Sequence, residues 1–504
     1  MKSRSKGITL SYIKSIIHML CGLMLSSFLL RVLGDTQYGI YQTVASFANY
    51  MVLLEFGMGT VMTRNISMCR GRGATEKEIH RNASTIWTLT LCLSGLILLL
   101  SIIFYFLTPV VYANSMTTDQ ITSGQTMIIP ITGYLIASFL VHTLDGLLLA
   151  YEQYTFASMR DIIRTITKFS VLTLLLTGYP HAILIAVVDF LLGLACLIVS
   201  YCTCRRKIPG ILRICKPDYD VITSALPLCM AIFLQSIVNQ ANNNVDKFLI
   251  GVMMSPESVS LYGVALYIYS MFSSLTIIPI SMFAPAITQN VVRGIKGEAL
   301  TEYLIAPCRL TALVGGMLLF GFIAVGRPFI RLMYGPTYLP AWQIAIIIMI
   351  PMYINMTTGV LINVLDALNK RMSRSIALIA TTLANIILTV FWLDRWGMIG
   401  AALATGLCTL VGQVLVMHLY YSRVLKIPVV RLFRSTFRGI LPYLLLGCLT
   451  AGIASQQIAH NLASLLIGGI LFICVVCGGW YLFGSTPGEK KLIRDILNRR
   501  KNRD

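Results

Sequence analysis

Charged residues are scarce in this sequence of 504 residues, where Asp, Glu, Lys and Arg together make up only 12%. Soluble globular proteins carry about 25% charged residues, so the composition excludes a soluble domain with a single membrane anchor. The hydrophobic share of 56% and the mean hydropathy of +0.77 instead indicate an integral membrane protein.

Several motifs of enzymes and binding proteins are also missing. Without a Walker loop, ATP hydrolysis within this chain is excluded. Histidine occurs only six times, and the 13 cysteines lie mostly inside apolar stretches, so we expect no metal site, no disulfide framework and no cofactor. The net charge of +20 comes without an aromatic and basic module that reads bases, so nucleic acid is not an expected partner. No loop is long enough to house an active site, and we expect no enzyme activity.

Lysine and arginine are scarce on one side of the predicted membrane protein. Of the 40 basic residues, 35 lie at the termini or near every second loop, and the others are Arg31, Lys247, Arg327, Arg331 and Arg395. Positive residues stay cytoplasmic, so this asymmetry predicts an even number of spanning helices with both termini in the cytosol. The predicted location is a cell membrane, which the chain crosses several times.

The apolar stretches predict an all-α polytopic protein with about 14 transmembrane helices, since a span needs about 20 mainly apolar residues. The predicted spans are 8–32, 39–66, 83–108, 126–150, 162–178, 182–202, 222–250, 259–290, 303–326, 340–365, 374–393, 397–421, 439–458 and 462–484.

An internal repeat relates the two halves of the chain. Pro130 precedes Asp145 by the same interval at which Pro351 precedes Asp366. Because six helices separate the copies, they enter the membrane in the same orientation, as in transporters with parallel repeats. The predicted segments are a six-helix lobe at 1–215, a second at 216–425, two additional helices at 426–485 and a basic tail at 486–504. The tail fits either an amphipathic helix on the inner leaflet or a solvated segment.

A row of polar residues marks the seventh predicted helix. Gln235, Asn239, Asn242, Asn243 and Asp246 recur at intervals of three and four, which places them on one helix face. Such amides suit sugar hydroxyls or a phosphate, and the row predicts a substrate-binding cavity lining. The alternative is a structural seam, because Asn and Gln also hydrogen-bond between membrane helices.

Two ionisable residues at membrane depth are candidates for function. Glu55 lies deep in the second predicted helix, next to Gly57, and is the first candidate for ion coupling; the alternative is a structural carboxylate. Lys168 in the fifth helix is a candidate partner of Glu55, a substrate contact, or a contact for an anionic headgroup.

Other charged residues have competing roles at the helix ends. Arg31 is a candidate contact for a diphosphate, since a guanidinium binds phosphate in a bidentate manner, but it also fits a pair with Asp35 four residues on. Asp145 and Asp366 occupy matching positions near the cytoplasmic ends of their helices. They are interpreted as gate or structural residues, with a structural hydrogen bond favoured over substrate contact.

Five segments resemble a known family. Leu30–Gly34, Tyr38–Tyr41 and Glu55–Gly57 resemble the start of bacterial polysaccharide transporters of the O-antigen flippase type, and Asn244–Gly251 with Leu261–Ala265 resembles their seventh-to-eighth helix region. These proteins belong to the multidrug/oligosaccharidyl-lipid/polysaccharide superfamily. The resemblance implies two six-helix lobes around a V-shaped cavity, which receives an undecaprenyl-diphosphate-linked oligosaccharide from the cytosol and releases it outside.

The sequence therefore predicts a flippase for lipid-linked oligosaccharide that works by alternating access. Its expected partners are that substrate, membrane lipids, a proton or sodium ion, and proteins of polysaccharide assembly. A cation-coupled multidrug exporter is the alternative within transport and predicts a cavity rich in aromatic and acidic residues. A membrane-embedded glycan polymerase is the alternative outside transport.

Overall fold

The computed structural model describes residues 2–151, 153–208, 217–368, 371–457, 462–486 and 489–490. Within these ranges every regular element is a helix. The first eight α-helices are α1 Lys2–Met51, α2 Met58–Gly71, α3 Glu76–Val111, α4 Thr118–Ala150, α5 Tyr154–Gly178, α6 Ile183–Lys207, α7 Tyr219–Met253 and α8 Pro256–Val292. The next eight are α9 Gly297–Met333, α10 Pro340–Thr357, α11 Leu361–Ala367, α12 Arg371–Cys408, α13 Met417–Val424, α14 Val429–Phe437, α15 Leu441–Gln457 and α16 Leu462–Gly479.

Apolar side chains and satisfied backbone groups make these segments helical. In hydrocarbon each backbone N–H and C=O needs an internal partner, and a helix supplies one for nearly every residue. Where the chain leaves that environment, polar side chains cap the helices. Thr117 and Gln120 form a reciprocal capping box at the start of α4, and Thr75 caps α3.

Glycine allows two of the helices to turn without a loop. Gly34 within α1 has φ of 74°, and Gly397 within α12 has φ of 58°. This left-handed region suits a residue that lacks a Cβ. The two turns lie where the sequence predicts the boundaries between helices one and two and between helices eleven and twelve.

The continuous second helix predicted over 39–66 is wrong, because the helix breaks next to Glu55. A 3₁₀ turn covers Val52–Glu55, and both Phe56 and Gly57 adopt left-handed backbone angles before α2 begins. Phe56 stacks on Phe233 of α7 with ring centroids 4.5 Å apart. A Cβ on Gly57 would lie 2.6 Å from Ile232. Packing against α7 therefore accompanies the break.

Two later helices also depart from the predicted boundaries. The helix predicted over 340–365 divides into α10 and α11, separated at Thr358–Val360. The helix predicted over 397–421 contains a π-helical stretch at Thr409–Val416. A second π-helical stretch, Trp480–Gly484, follows α16.

Nine helices among the described residues are long and apolar enough to cross a membrane, or ten if the bent pair α14 and α15 counts as one span. Two of the nine, Ile13–Gly71 and Arg374–Val424, contain the glycine turns and so include more than one predicted span. The all-α polytopic fold is confirmed, whereas the number 14 stays a prediction.

The chain divides into two compact units, an N-terminal unit of Met1–Ser260 and a C-terminal unit of Leu261–Asp504. The first has a core where α2, α4 and α6 meet, centred on Met62, Leu144 and Leu147. The second has one core around Leu304 and Leu365 and another where α9, α15 and α16 meet. The division at 215 that the sequence repeat predicts, one helix earlier, stays a prediction.

A close helix approach in the N-terminal unit joins α2 to α4. A Cβ on Gly146 would lie 2.1 Å from the carbonyl oxygen of Gly59, and Thr63 Oγ1 donates a hydrogen bond to the Gly146 carbonyl at 2.9 Å. Small residues at helix contacts let backbones approach in this way, which is how membrane helices gain packing contacts.

Gly146→Ala is expected to destabilise the protein by about 3 kcal/mol, because a backbone carbonyl cannot rotate away from the added methyl group. The measurement is the thermal midpoint of the purified protein in detergent. Gly95→Ala in α3 is the matched control, since no described atom lies within 4 Å of its added Cβ. Equal midpoints for the two variants would contradict the close approach.

Candidate functional site

A polar cavity of about 370 Å³ lies among α1, α4, α5 and α6 of the N-terminal unit. Carbon atoms of residues such as Leu25 and Phe169 form part of its wall. The polar and ionisable side chains of the lining are Lys14, His18, Tyr134, Ser138, His142, Asp145, Arg160, Asp161, Arg164, Thr165 and Lys168. Ionisable groups inside a membrane bundle usually face a cavity or the bundle interior, and these groups line such a cavity.

Helix α5 supplies a row of cationic side chains to this cavity. Arg160, Arg164 and Lys168 follow one another at intervals of four residues, which places them on one helix face about 6 Å apart along the axis. All three line the cavity. The row therefore extends positive charge along two turns of α5.

Arg160 is the most enclosed member of the row, with a side chain only 8% exposed. Its two terminal nitrogens donate to the two carboxylate oxygens of Asp145 on α4 at 2.6 and 2.8 Å. It also donates to Asp161 at 2.7 Å and to Ser200 on α6 at 2.8 Å. Bidentate charge-assisted bonds of this kind fix both partners. Arg160 therefore joins α4, α5 and α6.

A second contact links the same cluster to α1. Lys14 Nζ lies 2.7 Å from Asp161 Oδ2. Through Asp161, the Lys14 ammonium and the Arg160 guanidinium share one carboxylate, so three ionised groups meet near the start of α5.

Lys168 pairs with Asp189 of α6, at 2.7 and 2.8 Å from the two carboxylate oxygens. The hypothesis that Lys168 pairs with Glu55 is therefore wrong, since the carboxylate on the adjacent α6 holds the ammonium. Arg164 lies 3.9 Å from Asp189 and 4.9 Å from the ring centre of Tyr134. Arg164 thus has a looser ion pair than its two neighbours.

The lining of the cavity carries an excess of positive charge. Its cations are Lys14, Arg160, Arg164 and Lys168, and its carboxylates are Asp145 and Asp161. Asp189 is not a lining residue but pairs with Lys168 from α6. In the ranges that the structure describes, no group of three or more His, Cys, Asp or Glu side chains is placed to hold a metal ion. A group with phosphate chemistry matches the excess charge.

Glu55 reaches the edge of the same region from the helix break before α2. Its Oε1 lies 3.0 Å from Nδ1 of His142, a lining residue on α4. His142 precedes Asp145 by three residues and so lies on the same side of α4. The break lets the Glu55 side chain meet α4 and pair with an imidazole.

Other residues singled out in the sequence lie elsewhere. Arg31 is exposed on α1, three residues before the Gly34 turn and about 25 Å along the helix from Lys14. Lys247 of α7 lies with its Nζ 3.4 Å from Oε1 of Gln42. The structure therefore does not bring Arg31 into the cavity of α5.

The polar row of α7 is only partly described. Asp246 is buried, with 4% exposure. The side chains of Gln235, Asn239, Asn242 and Asn243 lie outside the described residues, and so does that of Asp366 on α11.

Several members of the cavity are not predicted by the sequence. Lys14, Arg160 and Arg164 belong to the basic residues at the termini and near every second loop, and no sequence pattern singles out His142 or Asp161. The spacing of four between Arg160, Arg164 and Lys168 was visible and indicates one face. Their partners on α1, α4 and α6 were not, because those contacts depend on the folded arrangement.

Nine apolar helices and a cavity lined by charged side chains define, among the described residues, a multi-pass membrane protein with a charged cavity in its N-terminal unit. Residues 5–291, more than half of the chain, match the family described as polysaccharide biosynthesis protein. The chain belongs to the polysaccharide biosynthesis protein family, and the resemblance seen in the sequence is confirmed.

Solved structures share the fold. The lipid II flippase MurJ in an inward closed conformation matches with a TM-score of 0.72 and 18% identity, over 94% of this chain and 98% of that one. An inward-facing multidrug resistance MATE family transporter of the MOP superfamily matches with a TM-score of 0.63 and 13% identity, over 82% and 99%. The MATE multidrug transporter DinF-BH matches with a TM-score of 0.53 and 15% identity, over 86% and 96%. No curated protein matches the chain.

Proposed function

We propose that this protein is a flippase that moves an undecaprenyl-diphosphate-linked oligosaccharide from the inner to the outer leaflet of the bacterial cell membrane, by alternating access. The proposal rests on the family of the chain and on a fold shared with a lipid II flippase. Both termini are cytoplasmic in this proposal, because the basic residues cluster with them.

The observation that carries the proposal is the excess of positive charge in the cavity of the N-terminal unit. A diphosphate is the charged part of a lipid-linked glycan, and guanidinium and ammonium groups are its natural partners. Arg164, with its looser ion pair, is the cation most open to exchange its carboxylate for a phosphate. Lys168 is the other proposed phosphate contact in this cavity. Arg31 lies outside the cavity and is proposed as a separate contact for the diphosphate.

The polar row of α7 serves the glycan in this proposal. Unaided passage would drag sugar hydroxyls through hydrocarbon, where each unsatisfied polar group costs several kcal/mol. Amides of Gln235, Asn239, Asn242 and Asn243, with the carboxylate of Asp246, would replace water around the sugars. The lipid tail stays in the bilayer alongside.

The rival function is a cation-coupled drug exporter, which shares the fold. A site for organic cations needs acidic and aromatic side chains to dominate. The described cavity has more cations than carboxylates, and its aromatic lining residues are Tyr134, Phe169 and the two histidines. The charge balance favours an anionic substrate.

Asp145 and Asp366 are proposed to stabilise the inner helix ends of the two sequence repeats rather than to contact substrate. For Asp145 the bidentate pair with Arg160 supports this role. Breaking that pair would free α5 from α4, so it is a suitable gate element.

Proteins of polysaccharide assembly are the proposed partners.

Glu55→Gln is expected to uncouple transport from a pH gradient, because the amide cannot exchange a proton with His142. The measurement is uptake of a fluorescent lipid-linked oligosaccharide by proteoliposomes, with and without the gradient. The uptake rate of the wild type is expected to change when the pH gradient is applied. The uptake rate of the Glu55→Gln variant is expected to be the same with and without the gradient.

The matched control is Glu76→Gln, an exposed carboxylate at the start of α3. Its gradient response is expected to equal that of the wild type. An unchanged response of the Glu55 variant would remove Glu55 from coupling. A wild type that does not respond to the pH gradient would point to sodium or to the substrate gradient as the driving force.

A catalytic assay separates the flippase from a glycan polymerase. Purified protein is incubated with lipid-linked oligosaccharide, and the products are resolved by mass. The proposal predicts that the glycan length is unchanged while the substrate changes leaflet in vesicles. Formation of a new glycosidic bond would overturn it.

A further inference from the structure

Arg309 of α9 is a buried guanidinium whose five N–H groups all have acceptors. Its side chain is 5% exposed. Nε and Nη2 donate to the carboxylate of Glu489, at 2.7 and 3.2 Å. Nη1 donates to the carbonyls of Ser435 and Arg438, at 3.0 and 2.7 Å, and Nη2 also donates to that of Gly484 at 2.8 Å. Since arginine has five such donors, its hydrogen bonding is complete.

These acceptors belong to separate segments that end at the same place. The carbonyls of Ser435 and Arg438 are at the end of α14, and that of Gly484 ends the π-helical stretch after α16. Carbonyls at helix ends have no partner within the helix, so the guanidinium supplies one. A Cβ on Gly484 would lie 1.9 Å from the carbonyl oxygen of Gly439, so the two chain segments touch.

The surface around this junction is cationic. Arg434 on α14 and Arg438 directly after this helix are exposed, whereas Leu432 and Thr436 of α14 are buried. Lys490 donates a hydrogen bond to the carbonyl of Leu482 at 3.2 Å, next to the same junction. We call Arg434, Arg438 and Lys490 the C-terminal basic face.

The acidic side chains near this face are already engaged. Glu489 is held by Arg309. Glu298 and Glu302 pair with Arg431, at the start of α14. The basic face therefore keeps its positive charge.

Apolar side chains flank the basic face. Phe483 is 78% exposed and stacks on Tyr443 of α15, with ring centroids 6.5 Å apart. Leu482 is also exposed, and so is Val430 on α14. Cationic and apolar groups side by side at the end of a span match the boundary between headgroups and acyl chains.

We propose that the C-terminal basic face binds the headgroup of an anionic phospholipid, whose acyl chains lie along Leu482 and Phe483. Charge complementarity commits the site to an anionic lipid, since an arginine binds phosphate in a bidentate manner and a zwitterionic headgroup offsets that attraction. Arg309 serves as the positioning residue, because it fixes α14 against the end of α16. This site goes beyond the proposed transport function.

The test is binding of phosphatidylglycerol and of phosphatidylcholine to the purified full-length protein, measured by native mass spectrometry. The wild type is expected to prefer phosphatidylglycerol. Arg434→Gln with Arg438→Gln is expected to weaken that binding about 30-fold, because each basic residue at the membrane surface contributes about 1 kcal/mol and 1.4 kcal/mol is tenfold. Phosphatidylcholine binding is expected to stay unchanged.

Arg395→Gln is the matched control, since it removes an exposed arginine of the same unit near the Gly397 turn. It is expected to leave the lipid preference intact. Lys490→Gln gives an independent reading, with an expected loss of about fivefold from one basic residue.

Equal binding of the two phospholipids by the wild type would overturn the proposal. Full preference for phosphatidylglycerol in a folded Arg434 and Arg438 double variant would also overturn it. A double variant that keeps that preference but no longer binds lipid-linked oligosaccharide would assign the face to substrate, and would likewise overturn it. If the protein prefers phosphatidylglycerol but does not transport lipid-linked oligosaccharide, the proposed flippase function fails and the proposed lipid site is supported.

Discussion

Arg309→Ala is expected to destabilise the C-terminal unit by about 5 kcal/mol. Removing one partner of a buried ion pair costs about 3–5 kcal/mol, and here three helix-end carbonyls lose their donor as well. The side chain is only 5% exposed, so water cannot readily replace the guanidinium. The measurement is the thermal midpoint and the folded yield in detergent, with a large fraction of the variant expected to be lost to aggregation.

Two variants of α9 bracket this effect. Arg331→Ala removes an exposed arginine from the last turn of the same helix and is expected to change the midpoint little. Arg309→Lys keeps the charge but offers only three donors to five acceptors, so an intermediate midpoint is expected. A wild-type midpoint for Arg309→Ala would contradict the assignment.

The acid dependence of the same contact provides an internal check. Burial acts to raise the pKa of Glu489, but hydrogen bonds from Arg309 and from the Thr486 amide outweigh it and hold this pKa below its usual value. A carboxyl group whose pKa is lower in the folded than in the unfolded protein stabilises the fold above its unfolded-state pKa, which is about 4.3 for glutamate. This stabilisation is lost as the pH falls through the folded-state pKa. The wild type is therefore expected to be more stable than Arg309→Ala at pH 7. Part of this difference in stability is expected to be lost below about pH 4, where Glu489 becomes protonated.

Asn243→Leu combined with Asp246→Asn is expected to reduce glycan export more than about tenfold. These changes remove polar groups from the proposed glycan path, where one unsatisfied polar group costs several kcal/mol and 1.4 kcal/mol is tenfold. The measurement is surface glycan in cells whose only flippase is the variant, together with the amount of folded protein in the membrane.

Thr223→Val near the start of α7 is the control, since its exposed hydroxyl bonds only to carbonyls of its own helix in the described structure. It is expected to export normally. Full export by the double variant would remove α7 from the substrate path, and loss of folded protein would assign Asp246 to packing instead.

The sequence was most informative where membrane physics leaves few options. Apolar length and basic asymmetry predicted an all-helical membrane fold, and Leu33–Gly34 marked a helix end that the structure has at Gly34. The break at Glu55 could not be predicted, because Phe56 takes a left-handed backbone with no turn signal of its own. Its causes are contacts with α7, far along the chain.

The candidate site could also be predicted only in part. The sequence singled out Lys168 because charged residues at membrane depth are rare, and Asp145 because it matches Asp366 in the internal repeat. It could not assign their partners, since Asp161 joins Lys14 across 147 residues and Asp189 is one of several carboxylates within reach of a lysine. The Arg309 junction was equally hidden, because three of its five acceptors are backbone carbonyls, which every residue carries.

Transport of both candidate substrates by one preparation tests the central claim most directly. Proteoliposomes with the purified protein are given a fluorescent undecaprenyl-diphosphate-linked oligosaccharide and, separately, a cationic dye, and the transfer of each across the bilayer is timed against protein-free vesicles. An anionic-substrate flippase predicts rapid transfer of the oligosaccharide and a dye rate equal to that of the empty vesicles. Rapid transfer of the dye with no transfer of the oligosaccharide would contradict the account.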